Sequence, residues 1–137
     1  MTVLRALVLS GAILGTAASL PAQQSLPADS MDLGRKYTMW FYGGQADSLL
    51  AHMDSAFRAT MTADQVQQAM LQVATRAGNE VTVMEEKFIT RNGARQYWRT
   101  ATMDILQEPF LLRWVITPAG EIAGLGMGLA RQAPPID

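Results

Sequence analysis

The chain has 137 residues, with 11 basic and 12 acidic side chains, one histidine and no cysteine, for a formal charge of −1. That balance excludes the basic footprint of a nucleic-acid-binding protein. The missing thiols exclude disulfides, thiol catalysis and thiolate metal sites.

In chain order, residues 1–22 read as a cleavable secretory signal: Arg5 near the start, an apolar stretch from Ala6 to Ala18, then Leu20-Pro-Ala22 before the expected cut. The stretch is broken by Ser10, Gly11, Gly15 and Thr16 and falls short of the roughly 20 residues a bilayer span needs, so no membrane anchor is expected. The expected location is periplasmic or secreted. Residues 23–29 form a polar, proline-containing leader expected to be flexible. Residues 30–130 suit one domain that depends on an ordinary apolar core.

From Ser30 the pattern is helical, because Leu33, Tyr37, Trp40 and Phe41 fall on one face and Gly43-Gly44 supplies a stop. A second helix from about Ala46 turns Leu49, Leu50, Met53 and Phe57 inward, with a break expected near Asp54. Thr62-Ala-Asp-Gln65 reads as a capping box. The third helix it opens carries Val66, Ala69, Met70, Val73, Ala74 and Ala77 on one side and ends at Gly78.

After Asn79 the period becomes extended. Glu80 to Arg91 and Ala94 to Met103 flank Asn92-Gly93, the dipeptide of two-residue hairpins, and that turn predicts Phe88 opposite Tyr97, Lys87 opposite Trp98 and Glu86 opposite Arg99. Phe110 to Thr117 and Ile122 to Ala130 form two more strands around Pro118-Ala-Gly-Glu121, and the tail 131–137 is expected to be disordered. Helices first and a meander afterwards predict an α+β domain: N-terminal helices packed on a curved antiparallel sheet of about four strands.

Candidate chemistry is sparse. His52 stands alone without zinc-ligand spacing and reads as a surface histidine. Ser25, Ser30, Ser48 and Ser55 lie in no nucleophile motif. Glu85 and Glu86 point to opposite sides of a strand, one expected in solvent and one paired with Arg99. Gly124, Gly126 and Gly128 share one strand face, where they predict a close approach or a bare strip that a ligand could lie along. No cofactor and no metal site is implied by any motif.

Leu49-Leu50 after a glycine-rich turn, Phe57, Met61, the capped helix from Thr62 to Gly78 and Gly120-Glu-Ile-Ala-Gly-Leu125 together resemble domain family 3887. That family belongs with the cone-shaped folds of the nuclear-transport-factor-2 and ketosteroid-isomerase type. The resemblance implies a helix-lined concave sheet that holds a small apolar molecule. Isomerase-like relatives use an aspartate base with tyrosine and acid donors, for which Tyr37, Tyr97, Asp54 and Asp104 are the residue types present.

The leading expectation is a non-enzymatic exported domain that binds a small apolar ligand or a protein partner. Met39, Trp40, Met70, Trp98, Trp114, Gly124 and Gly126 are the expected pocket lining. An isomerase or hydratase using a pocket acid and a structural homodimer are the alternatives.

Overall fold

The computed structural model describes residues 30–136, so the expected signal and leader lie outside the described residues. Helix α1 (Ser30–Tyr42) presents Tyr37 and Phe41 to the core, as its spacing requires, with Leu33 and Trp40 packed against them. One glycine fixes where this helix lies. A methyl group at Gly34 would overlap the Tyr97 ring, so α1 can sit directly on the sheet only because position 34 has no side chain.

The second helical stretch is two short helices, α2 (Ala46–Ala51) and α3 (Ser55–Thr60). They part at Asp54, whose carboxylate accepts from the Phe57 amide at 2.7 Å as an N-cap. The break has a tertiary cause as well: the His52 carbonyl and the Asp54 amide each bond the backbone of Ile122 at 2.8 Å. Helix α4 (Ala63–Arg76) opens with the complete capping box, Thr62 Oγ1 accepting from the Gln65 amide at 3.2 Å and Gln65 Oε1 accepting from the Thr62 amide at 2.8 Å.

Strands β1 (Glu80–Arg91), β2 (Ala94–Met103), β3 (Phe110–Ile116) and β4 (Ile122–Leu129) form one antiparallel sheet in the order β1-β2-β3-β4. The hairpin is the predicted one. Asn92 and Gly93 both have positive φ, 52° and 75°, as a two-residue turn with matching twist demands. All three expected pairings occur: Phe88 with Tyr97, Lys87 with Trp98, and Glu86 with Arg99. Bulges after Glu80 and after Val83 shift the register further along.

Alternation then sorts the side chains. Tyr97, Ala101 and Met103 of β2 and Phe110, Leu112, Trp114 and Ile116 of β3 join the helices in a single core. Gln96, Trp98, Leu111, Arg113 and Val115 take the other face together with Gly124, Gly126 and Gly128. The molecule is thus an α+β domain with helices on one side of an open four-stranded sheet. After β4 a short 3₁₀ turn (Ala130–Gln132) leads to Pro135, whose carbonyl accepts from Arg91 Nε at 2.9 Å.

Candidate functional site

Charged groups concentrate where α1 meets the first hairpin. Arg99 reaches Glu80 at 2.8 Å and Glu86 at 3.4 Å, and Arg35 of α1 reaches Glu86 at 2.9 Å. The Tyr97 hydroxyl donates to the same Glu86 carboxylate at 2.5 Å. Burial pushes the Glu86 carboxyl upward, but hydrogen bonds from Arg35 and Tyr97 and the charges of Arg35 and Arg99 outweigh it, holding the group below its ordinary value. Burial and the Glu86 bond raise the Tyr97 phenol, and burial and Glu80 raise the Tyr42 phenol. A carboxylate held ionised by two guanidinium groups is a poor proton acceptor. This cluster ties a helix to a hairpin.

The sole histidine is exposed. Its Nδ1 lies 2.9 Å from the Ser48 carbonyl, and its ring is 4.8 Å from that of Trp40. The acids considered for an isomerase serve the backbone instead: Asp54 caps α3, and Asp104 Oδ1 accepts from the Asn79 amide at 2.8 Å. Glu85 stands in solvent with Lys87 at 3.6 Å, and Glu86 is paired as described. Among the described residues no group of three metal-ligating side chains comes together, and no helix is long and apolar enough to cross a membrane.

The residues expected to line a pocket fall on both sides of the sheet. Met39 is 72% exposed on α1, while Trp40 is half-buried against Tyr37 and His52 with the Lys36 ammonium over its ring. Met70 and Trp114 belong to the core. Trp114 is fully enclosed, edge-on to Tyr37 and Phe41, and its Nε1 donates to Thr38 Oγ1 at 3.0 Å.

Trp98, Gly124 and Gly126 are on the face away from the helices. Trp98 is nonetheless only 3% exposed, flanked by Lys87 and Arg113 and hydrogen-bonded through Nε1 to Gln96. The glycine strip has a local explanation in its cross-strand neighbours. Val115 packs onto Gly124, and the Arg113 guanidinium lies where a Gly126 side chain would be.

A different place has the form of a binding site. Strand β4 is an edge, and its first residue is tied to the α2–α3 junction. Helix α4 stops at Arg76, after which the chain leaves for β1 at the opposite edge, so no described helix roofs over the inward-facing side chains at the end of β4. Met127 stays 37% exposed there. The result is an open cavity of about 320 Å³. Val73 and Ala77 of α4, Leu106 of the β2–β3 connection, Phe110 of β3 and Met127 and Leu129 of β4 supply its apolar surface. Gln72, Arg76 and Gln132 supply its polar side chains.

Sequence reasoning found the core membership of Val73 and Ala77 but not this cavity. The available signal was the alternation in β4, which sets Leu125, Met127 and Leu129 on one face of a strand that, among the described residues, has no neighbour beyond it. The fold defines the class of the molecule as helices followed by an antiparallel meander. Beyond that class, comparison with protein-family models, with curated proteins and with solved structures gives no match.

Proposed function

We propose that this chain is an exported, non-enzymatic domain that binds a small apolar molecule in the cavity between the end of α4 and the end of β4. The observation that carries the reading is the uncovered inner face of β4, where Met127 and Leu129 meet Phe110, Val73 and Ala77 around a volume of about 320 Å³. Small-molecule sites are concave, mostly apolar and span roughly 300–1,000 Å³ with a few polar groups at fixed positions. Export is supported by Arg5, the apolar stretch to Ala18 and Leu20-Pro-Ala22. The order of elements supports a cone of the nuclear-transport-factor-2 type and kinship with domain family 3887, both parts of this proposal.

Titration with the neutral dye Nile red tests the cavity. The wild-type protein should enhance and blue-shift its emission in a saturable way. Met127→Trp and Gln132→Trp, which fill the space from partly or wholly exposed positions, should each weaken the dye at least about tenfold while the circular dichroism spectrum stays the same. Equal dye affinity in all three proteins, or no saturable binding at all, would remove the cavity from consideration.

A homodimer has one observation in its favour. On the edge strand β1, Val81 is 65% and Met84 57% exposed. Light scattering at high micromolar concentration should then give twice the monomer mass, and Val81→Lys should halve it. A strict monomer contradicts that reading.

A further inference from the structure

The charges around this cavity point to the chemistry of its occupant. We infer that the ligand is a medium-chain carboxylate amphiphile, its tail among Phe110, Met127 and Leu129 and its head received by Arg76. The inference rests on the cavity being the binding site.

Among the described residues, every arginine but one is engaged with another part of the chain. Arg35 and Arg99 pair with Glu86, Arg131 pairs with Glu108 at 2.8 Å, Arg58 bonds the Leu50 carbonyl and Arg91 the Pro135 carbonyl. Arg95 lies 4.7 Å from the centre of the Phe88 ring and Arg113 lies 5.4 Å from that of Trp98. Arg76 alone has no such partner, and it is the arginine on the cavity wall.

Among the described residues no aspartate or glutamate lines the cavity, and the one formal charge they bring to its wall is positive. Gln72, one turn before Arg76 on α4, and Gln132 add amide donors beside the guanidinium. A guanidinium fork with neighbouring amides matches one carboxylate, whereas a doubly charged phosphate monoester would ask for a second cation that the wall lacks. The apolar side of the same cavity excludes a small hydrophilic anion as its preferred guest, because Phe110, Met127 and Leu129 would gain nothing from it. A volume near the lower end for small-molecule sites favours a medium-length tail over a long one.

Displacement of Nile red by decanoate, decanol and decyl phosphate tests the inference at low salt, where an exposed charge is least screened. Wild-type protein should release the dye at about tenfold lower concentration of decanoate than of decanol. Arg76→Gln, a change at an exposed helix position, should erase that difference while leaving decanol unchanged. If decanol competes as well as decanoate, or Arg76→Gln keeps the preference, the role of Arg76 is overturned while the cavity remains a site for neutral molecules. Stronger competition by decyl phosphate than by decanoate would overturn the carboxylate. If wild-type protein binds the dye but none of the three displaces it, the amphiphile itself is overturned. Failure of the cavity reading shows separately, as a wild-type protein that binds no dye.

Discussion

Trp114 is the largest enclosed side chain, and its one polar atom is satisfied by Thr38, a hydroxyl on the buried side of α1 that also donates to the Gly34 carbonyl at 2.8 Å. Thr38→Val keeps the shape and removes the acceptor. The indole N–H is then left without a partner away from water, and urea unfolding should show a loss of about 1–3 kcal/mol. Glu86 gives the second prediction at this scale. Its carboxyl is held below the ordinary value in the fold, so the folded state favours the ionised form. That contribution is complete above the unfolded value of about 4.3 and is lost as pH falls through the lower folded value. The urea midpoint should therefore drop between pH 5 and pH 3 in the wild type, and Glu86→Gln should flatten that fall. The roles of Thr38 and Arg35 have no signal in the sequence, because their partners Trp114 and Glu86 lie on strands far along the chain.

At the scale of elements, the readings that succeeded were those whose cause is local. The Asn92-Gly93 turn settles its own register, and with it the Glu86–Arg99 pairing, because two adjacent residues with positive φ leave the flanking strands one alignment. The capping box is likewise complete within four residues. Thr62→Ala removes one of its two bonds and should cost about 1 kcal/mol, read as a lower thermal or urea midpoint with native helix content below the transition. The division of the second helix was visible at Asp54, although the pairing of Met53 with Ile122 that stabilises it joins residues too far apart in sequence to be read from spacing. The same limit explains Gly34, whose need for a bare backbone comes from Tyr97. It also explains Gly126, where the space over the strand is taken by Arg113. Strand glycines announce a close approach without saying from which side.

Across the whole molecule, the sheet decides what can act together. A binding-site reading built on aromatic and methionine content gathers residues that the sheet separates, Trp98 and the glycines on one face, Met70 and Trp114 on the other. The candidate cavity draws on five segments: the end of α4, the β2–β3 connection, the start of β3, the end of β4 and the 3₁₀ turn after it. None carries a binding motif, and their meeting depends on the meander returning β4 to the edge of the sheet near the end of α4. The order of elements and the apolar face of β4 were legible; that no other described element covers the end of that face was not.

Methyl-labelled protein observed by nuclear magnetic resonance during a decanoate titration tests the central claim most directly. The methyl signals of Met127, Leu129, Leu106 and Val73 should shift together and saturate, while those of Met84 and Val81 on the far edge stay in place. Shifts spread evenly over the molecule, or confined to the β1 edge, would contradict a ligand site between α4 and β4.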